Sequence, residues 1–417
     1  MENRVNLKYG KGCVELTLPV KFVEIEHQSA KREKIDWEEK IKESFANPIA
    51  SPGLGELIEQ KRSDKIVIIV NDITRPVPYD LVLKPMLNQL KELGIPNQSI
   101  TLLIATGMHR PMTAEEVEEC LGQEIVADYC WENHYCEHEM EYIGKLSEDV
   151  PFFVNPLVKK ADLLCAVGVI APHYMAGYSG GRKSLFPGVC GRETIEAHHA
   201  LMRLPESKTA NLNGNKFHQL TMEAAETIGL DFIANVVVDS KNEVIDLVVG
   251  DYKKAWEVGV TVCRESSAVS FDTFADLVIV SAGGFPKDIN MYQAQKALEN
   301  ASYCAKEGAP ILLIAECGEG LGEDVFERWL KEAAGPASLG DRIKNNFELG
   351  GHKAFAIARV AEKHPIYLYS QLGSELTRSS FMIPVTDLEQ FMAEKVAESD
   401  LVYLLPHGAN TVPVYNG

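Results

Sequence analysis

The segment APHYMAGYSGGRKSLFPG, residues 171–188, contains the residue types of a reactive site. A glycine pair at 180–181 leads to Lys183, with His173 ten residues before that lysine and His199 sixteen residues after it. Glycines allow backbone amides to approach an anion closely. A lysine amine can serve as a covalent anchor, and imidazoles suit acid–base chemistry near neutral pH or the binding of borderline metals. The spacing therefore predicts anion, covalent or metal chemistry here.

The same segment does not form a phosphate-binding loop of the type G-x-x-x-x-G-K-[ST]. Counted from Gly177, the sixth position is Arg182 instead of glycine. Counted from Ala176, Gly181 is in place, but Arg182 stands between it and Lys183. No later strand end offers an acidic residue suited to magnesium. Nucleoside triphosphate hydrolysis is therefore disfavoured.

Lys183 on its own would be interpreted as a surface lysine in a flexible turn. The surrounding histidines change that interpretation. His109 and His173 each follow a predicted strand, and His199 lies on the helix predicted by RETIEAHHALM. One such histidine is more often structural, but three of them around one lysine favour an active site.

Composition limits the kinds of partner. The 417-residue chain carries a formal charge of -19, which argues against a nucleic acid partner because phosphate backbones need a basic face. The N-terminal residues lack the apolar core of a signal peptide, and no apolar stretch is long enough to span a bilayer. Nine cysteines without framework spacing indicate reduced thiols. We expect a cytoplasmic protein with no membrane partner.

The alternation of apolar runs and helical patterns predicts an α/β protein with two doubly wound α/β domains that face each other across an active-site cleft. We place the domains at 1–268 and 269–417, with the boundary in the polar stretch CRESSAVSFDTF and the last residues packing back on the first domain. The predicted strands are 65–72, 99–106, 162–172, 231–239, 243–251, 276–284, 309–317 and 365–370. Of these, 231–239 and 243–251 are predicted to form a hairpin or a pair of strands. The predicted helices are 79–93, 113–121, 291–306 and 323–334.

Four of these strands run directly into polar loops: NDITRP, TGMHRP, APHYMAGYSGGRKS and AGGFPKDINMYQAQK. Ligands of open α/β sheets bind beyond the carboxyl ends of the strands. The four loops are therefore expected to converge on one cleft.

Taken together, five motifs resemble the nickel-dependent lactate racemase family over nearly the whole chain. They are DITRP (72–76), TGMHRP (106–111), PHYMAGYSGGRKSLFPG (172–188), the following His199, and YQAQK (292–296). Their joint order and spacing is specific, although no single motif is.

The resemblance implies a cofactor, nickel-pyridinium-3,5-bisthiocarboxylic acid mononucleotide, called here the nickel pincer nucleotide. One of its two sulfur arms would be joined covalently to Lys183, and His199 would ligate the nickel, with the adjacent His198 as the rival. The stretch Asp72, Ile73, Thr74 and Arg75 matches residues that contact the cofactor. The cofactor also implies cofactor-synthesising enzymes as partners.

The implied reaction is racemisation or epimerisation of a small 2-hydroxy acid by hydride transfer. His109 and His173 match the family's paired acid–base residues, as expected of an enzyme that handles two mirror-image substrates. Arg75 and Lys296 resemble its clamp on the substrate carboxylate. Gln293 matches a substrate-contacting amide, and Tyr292 is predicted to line the pocket. Without the other motifs, Asp72 and Arg75 would be interpreted as a strand-end salt bridge.

Some features depart from this pattern or leave alternatives open. Lactate-directed members carry a bulky aromatic residue near the substrate, whereas this chain has the residues Gly350–Lys353 in that region. His352 and Lys353 would serve a larger or more polar hydroxy acid, or would point to solvent. The two alternative functions are a Schiff-base enzyme that uses Lys183 as nucleophile and a non-catalytic nucleotide- or metal-binding module.

The segment CWENHYCEHEM (130–140) invites a zinc interpretation through Cys130, His134, Cys136 and His138. Its spacing matches no structural zinc motif. Alternation on a strand would place the last three residues on one exposed or packing face, and we favour that interpretation.

Overall fold

The structure is a computed structural model that describes residues 3–26, 35–239, 242–348 and 350–416. Its strands, in chain order, are β1 (Asn3–Tyr9), β2 (Gly12–Leu18), β3 (Phe22–Glu24), β4 (Ile66–Asn71), β5 (Ile100–Ala105), β6 (Cys130–Asn133), β7 (Glu141–Lys145), β8 (Pro151–Val154), β9 (Leu163–Ile170), β10 (Pro172–His173), β11 (Gly177–Tyr178), β12 (Phe232–Val238), β13 (Val244–Gly250), β14 (Ala268–Phe271), β15 (Leu277–Ser281), β16 (Ile311–Ile314), β17 (Ile366–Tyr369), β18 (Met382–Val385), β19 (Val402–Leu405) and β20 (Val412–Tyr415).

The α-helices, in chain order, are α1 (Trp37–Ala46), α2 (Leu54–Lys61), α3 (Tyr79–Glu92), α4 (Ala114–Leu121), α5 (Gln123–Asp128), α6 (Pro156–Lys160), α7 (Arg182–Leu185), α8 (Arg192–His199), α9 (Lys216–Ile228), α10 (Lys254–Ser267), α11 (Met291–Ala294), α12 (Lys296–Ser302), α13 (Asp324–Glu332), α14 (Pro336–Asn345), α15 (Gly351–Ala361), α16 (Ser374–Ser379) and α17 (Leu388–Lys395). Among the described residues, no helix is long and apolar enough to cross a membrane.

The chain divides into two compact units. One comprises Lys31–Glu265, and the other comprises Met1–Ala30 together with Ser266–Gly417. We call them the Lys31–Glu265 unit and the Ser266–Gly417 unit. The predicted α/β class with two domains is confirmed, because each unit contains a six-stranded sheet with helices.

The sheet of the Lys31–Glu265 unit has the strand order β13-β12-β9-β4-β5-β6. All of its pairings are parallel except that of β12 with β13, which is antiparallel as the predicted hairpin requires. β4, β9 and β12 are almost wholly buried, since helices cover both faces of such a sheet. β4 lies between β5 and β9, so the strand order reverses at β4. Such a switch point is where ligands of open α/β sheets bind.

The sheet of the Ser266–Gly417 unit has the order β18-β17-β16-β15-β19-β3, with every pairing parallel. The N-terminal segment therefore joins this sheet through β3. The β1–β2 hairpin is fastened to the loop after β15, because the Gly10 amide donates to Asp288 Oδ2 at 2.7 Å and the Phe285 amide donates to the Gly10 carbonyl at 2.8 Å.

These contacts place the N-terminal residues differently from the predicted division into 1–268 and 269–417. The first thirty residues group with the C-terminal unit, because their partners lie about 280 positions later in the chain. The polar stretch at 263–274 spans the junction of the two units, but it contains the end of α10 and the whole of β14. β20, near the C-terminus, pairs with β14 within the Ser266–Gly417 unit.

Candidate active site

Three of the four predicted polar loops leave the same edge of one sheet. Asp72–Arg75 follow β4, His109 follows β5 and His173 follows β9, and these strands are parallel neighbours in the Lys31–Glu265 unit. The fourth loop follows β15 and belongs to the Ser266–Gly417 unit.

Asp72 and His109 form a close pair at this edge. His109 Nδ1 lies 2.6 Å from Asp72 Oδ2, and the Thr74 hydroxyl donates to Asp72 Oδ1 at 2.7 Å. Arg75 lies farther away, with its NH1 3.4 Å from Asp72 Oδ1. The side chain of Asp72 is 2% exposed. Burial alone would raise the pKa of its carboxyl, but the hydrogen bond with His109 and the charge of Arg75 outweigh burial and lower it.

The predicted strand-end salt bridge between Asp72 and Arg75 is therefore part of a larger arrangement. Asp72 is an ionised, buried carboxylate whose shortest contact is an imidazole. About half of the Arg75 side chain stays exposed, so its guanidinium remains available to an anionic ligand. Ile73, in the same loop, points an exposed side chain outward.

His173 sits at the start of the short β10–β11 pair. Its Nδ1 accepts hydrogen bonds from the backbone amides of Met175 and Ala176, both at 3.2 Å. Its ring stacks on Tyr174 with an interplanar angle of 12°. The imidazole is thus fixed by its own turn.

The glycines before Lys183 are required by close packing. Gly180 has φ +81°, and a Cβ there would lie 2.6 Å from Ile170 Cγ1. The amide of Gly181, φ +50°, donates to Asn235 Oδ1 at 2.8 Å. Only glycine adopts such angles without strain, so the loop follows from these residues.

Arg182 supports this loop from inside. Its buried guanidinium donates to the carbonyls of Tyr178, Ser179 and Gly180 at 3.2–3.4 Å. The extra arginine that breaks the phosphate-loop pattern is therefore a structural part of the loop.

Lys183 is partly buried on the first turn after this loop. Burial first, then the positive charges of Arg75 and Arg182, lower the pKa of its amine well below the ordinary value. No carboxylate is among the groups that shift the pKa of Lys183. A lysine in such an environment supplies the neutral amine that covalent chemistry needs.

The neighbouring histidines of α8 have different environments. His198 is buried, with Nε2 2.8 Å from the carbonyl of Phe217 and its ring 3.6 Å from that phenyl ring. His199 is half-buried at the last residue of α8, and its Nδ1 lies 2.8 Å from the carbonyl of Ile195. Because a carbonyl only accepts, the proton of His199 is on Nδ1 and the lone pair is on Nε2.

Three other predicted residues lie close enough to His199 to influence its charge. Burial first, then the charge of Lys183, lowers the pKa of His199 to about 3, and Arg75 and His109 add to the effect. The ring is therefore neutral at neutral pH, which is the form that ligates metals. The structure thus brings Arg75, His109, Lys183 and His199 into one neighbourhood.

The remaining predicted residues lie in the Ser266–Gly417 unit. The Lys296 ammonium donates to Gln293 Oε1 at 3.1 Å, so the two side chains are held together across one helical turn. The Lys353 ammonium donates to the Tyr292 carbonyl at 2.9 Å and lies 3.3 Å from the centre of its ring.

His352 and Lys353 are buried, not directed to solvent. Their exposed fractions are 3% and 7%. His352 Nδ1 accepts from the Gly350 amide at 3.1 Å, so this imidazole is committed to the start of α15. Of the two alternatives considered for this pair, solvent exposure is wrong, and Lys353 lies against a predicted pocket residue.

The zinc interpretation of CWENHYCEHEM finds no support in the geometry. β6 ends at Asn133, so His134, Cys136 and His138 do not alternate along a strand. His134 is buried against the Cys190 carbonyl at 2.8 Å, and His138 stacks on Tyr135. No group of three or more potential metal ligands occurs among the described histidines, cysteines and acidic residues.

The sequence named Asp72 as a candidate cofactor contact, but its hydrogen bond with His109 was not predicted. Two supporting residues of the Lys183 loop, Asn235 and Arg182, were not predicted either. Asn235 is the only polar residue of the apolar strand β12, and that exception was a readable signal for a special role. Arg182 gave no signal beyond its position, because its partners outside the loop, His218 and Trp256, lie far away in the sequence.

The chain is similar to known proteins along its whole length. Residues 9–210 match the family described as "Lactate racemase N-terminal domain", and residues 271–412 match "Lactate racemase C-terminal domain". The protein named "Lactate racemase" from Thermoanaerobacterium thermosaccharolyticum is 32% identical over 423 residues, which cover 98% of each chain. The protein of the same name from Lactiplantibacillus plantarum is 33% identical over 392 residues, which cover 91% of each chain.

A solved structure agrees. That of the lactate racemase apoprotein from Thermoanaerobacterium thermosaccharolyticum matches with a TM-score of 0.88 at 30% identity, covering 99% of this chain and 100% of that chain. The predicted family resemblance is confirmed: this chain belongs to the lactate racemase family and is an enzyme of the isomerase class.

Proposed function

We propose that this enzyme interconverts the mirror-image forms of a small 2-hydroxy acid, with a nickel pincer nucleotide attached to Lys183 and His109 and His173 as its acid–base pair. The observation that carries the proposal is the neighbourhood of Lys183, Arg75 and His109 around His199. Relatives that match over nearly the whole chain are named lactate racemases, so lactate is the first substrate to test.

The residues present fit the proposed group. Lys183 offers an amine whose pKa is lowered by burial and by two arginines, as thioamide formation requires. His199 offers a neutral imidazole with the lone pair on Nε2, and its Nδ1 proton is fixed by Ile195, a common arrangement for metal-bound histidines. When bound, the pincer nucleotide supplies the carbon that accepts and returns the C2 hydrogen as hydride.

The side chains of the protein would orient the substrate and move its proton. Arg75 would bind the carboxylate through its exposed guanidinium fork. His109 or His173 would take the hydroxyl proton as C2 loses hydride, which leaves a 2-keto acid. Return of the hydride to the opposite face, with a proton from the other histidine in its imidazolium form, would give the enantiomer.

The deciding experiment is the intact mass and nickel content of protein produced together with the enzymes that build the cofactor. We expect an adduct on the Lys183 peptide and about one nickel per chain. Lys183→Ala removes the proposed attachment point and should not load. Lys160→Ala is its matched control, because it replaces an exposed lysine, and it should load normally. An unmodified Lys183 without nickel, under conditions that load another family member, would overturn the cofactor assignment.

The lowered pKa of Lys183 also suits a Schiff-base enzyme, which is the second candidate. Borohydride in the presence of a carbonyl substrate would trap a secondary amine on Lys183 if that alternative were correct, without any need for nickel. A non-catalytic module would instead show no turnover of any 2-hydroxy acid, even with the cofactor loaded.

A further inference from the structure

His109 and His173 use the same ring nitrogen to contact opposite kinds of group. Nδ1 of His109 lies 2.6 Å from a carboxylate oxygen of Asp72, which only accepts hydrogen bonds. Nδ1 of His173 lies 3.2 Å from the backbone nitrogens of both Met175 and Ala176, which only donate. The position of the proton on each ring follows from these partners.

We propose that the two histidines are held in opposite tautomers, and that Asp72 is the positioning residue that makes His109 the proton acceptor of the resting site. The proton of His109 is on Nδ1, which leaves a lone pair on Nε2. The proton of neutral His173 is on Nε2, and its lone pair on Nδ1 is occupied by two amides. The catalytic consequence rests on the proposed function, whereas the tautomers themselves do not.

Both arrangements are built into the fold. Asp72 is 2% exposed and is also bonded to the Thr74 hydroxyl, so its carboxylate cannot turn away easily. The turn that holds His173 is closed by Gly177, where φ is +74° and a Cβ would lie 2.5 Å from the carbonyl of Asn211. Exchange of the Nδ1 partner would break the hydrogen bond with Asp72 in His109, and both amide hydrogen bonds in His173.

The two histidines therefore differ in their readiness to accept the proton of the substrate hydroxyl. If the substrate hydroxyl faces His109, the O–H bond breaks and its proton joins Nε2. The electron pair of that bond would then form the C=O bond as C2 gives up hydride, for which the pincer nucleotide of the proposed function would supply the acceptor. The resulting imidazolium faces the Asp72 carboxylate, which stabilises it.

A hydroxyl that faces His173 meets an Nε2 that already carries hydrogen. This ring takes the proton only after it has moved its own proton to Nδ1, where the two amides must first give up their hydrogen bonds. The enantiomer that presents its hydroxyl to His173 should therefore enter catalysis more slowly.

The tautomers can be measured on the cofactor-free full-length chain. Long-range proton–nitrogen NMR spectra of ¹⁵N-histidine-labelled protein, at about pH 8 where imidazoles are neutral, distinguish the protonated from the bare ring nitrogen. His109→Ala and His173→Ala assign the two signals. We expect a proton on Nδ1 of His109 and on Nε2 of His173, and the same tautomer in both rings would overturn the proposal.

Asp72→Asn tests the positioning role, because an amide can present a donor to Nδ1. We expect the His109 signal to move toward the Nε2-protonated form while the His173 signal stays in place. Asp80→Asn is the matched control, since Asp80 is exposed and pairs only loosely with Lys84. An unchanged His109 in folded Asp72→Asn would refute the role of Asp72.

Loaded enzyme gives the functional readout. The two enantiomers must have equal kcat/KM values, because racemisation has an equilibrium constant of unity by symmetry, so the informative quantity is keto-acid formation in the first turnover. Asp72→Asn should slow keto-acid formation at least about 100-fold for the enantiomer whose hydroxyl faces His109, by analogy with the aspartate of a catalytic triad. The other enantiomer should be slowed much less. Equal slowing of both would contradict the division of labour. If no hydroxy acid reacts at all, the proposed function fails while the NMR result still decides the tautomers.

Discussion

The guanidinium of Arg182 stacks on the indole of Trp256, with its central carbon 3.5 Å from the ring centre. The indole N–H in turn donates to the carbonyl of Ser179 at 2.9 Å, in the same loop that Arg182 binds. The two side chains thus fix the turn from which Lys183 projects. Their contact links the packing of α10 to the geometry of the candidate site.

Arg182→Met should destabilise the protein by about 2–4 kcal/mol, because the loop carbonyls lose the hydrogen bonds of the guanidinium and Trp256 loses its stacked cation. Urea unfolding of the cofactor-free protein measures the free energy of unfolding. Arg203→Met is the control: Arg203 is exposed and contacts only the carbonyl of Ala200, so the expected change is below about 0.5 kcal/mol. Equal losses in the two variants would show that the buried arginine does not support the loop.

Gly180→Ala should impair the presentation of Lys183. The added Cβ would stand 2.6 Å from Ile170 and 2.8 Å from Asn235 at a φ of +81°, so the loop must shift. We expect a loss of about 1–3 kcal/mol in the free energy of unfolding and a clear drop in cofactor attachment to Lys183. Gly12→Ala, at an exposed position where the added Cβ would meet only the Tyr9 carbonyl at an ordinary 3.8 Å, should change neither quantity. Normal attachment in Gly180→Ala would contradict the packing argument.

His134 gives a pH-dependent prediction. Burial is the main cause that lowers its pKa from 6.5 to about 4. Between these values the unfolded chain binds a proton that the folded chain does not bind, so the free energy of unfolding should rise with pH. The rise attributable to this residue is at most about 3 kcal/mol.

The test compares the wild type with His134→Gln by urea unfolding from about pH 4 to about pH 7. The variant should be less stable throughout, because the Cys190 carbonyl and Asn155 lose their partner, but its rise with pH should be smaller. Parallel curves for the two proteins would show that His134 does not titrate in this way.

Local patterns sufficed for the elements that carry the Lys31–Glu265 site. The apolar runs of β4, β5 and β9 are long enough to be recognised as buried strands, and each prediction agrees with the structure to within two residues. The candidate residues at their ends could be named because strand, loop and histidine are adjacent in the sequence. The loop glycines before Lys183 were readable for the same reason.

Contacts between distant segments could not be predicted in this way. The Asp72–His109 pair joins residues 37 positions apart, and the Gly10–Asp288 hydrogen bond joins residues 278 positions apart. Neither contact can be predicted from the hydrophobic periodicity of a single strand or helix. The burial of Lys353 was equally hidden, because a charged residue near glycines resembles a surface turn until its aromatic partner is known.

The adjacent histidines of α8 offer the sharpest test of the candidate metal ligand. His198→Ala should cost about 2–4 kcal/mol in the free energy of unfolding, because it opens a cavity against Phe217 and leaves the Phe217 carbonyl with Thr221 as its remaining side-chain donor. His199→Ala should cost clearly less, since this side chain is half-buried and its contact with the Ile195 carbonyl lies within its own helix.

The nickel content after loading should rank the two variants the other way, with the larger loss in His199→Ala. His199→Ala should lose most of its nickel while staying folded, and the folded fraction of His198→Ala should retain it. The two measurements are made on the same protein preparations, by urea unfolding of the unloaded form and metal analysis of the loaded form. A His198→Ala protein that folds but holds no nickel, beside a normally loaded His199→Ala, would transfer the ligand role to His198.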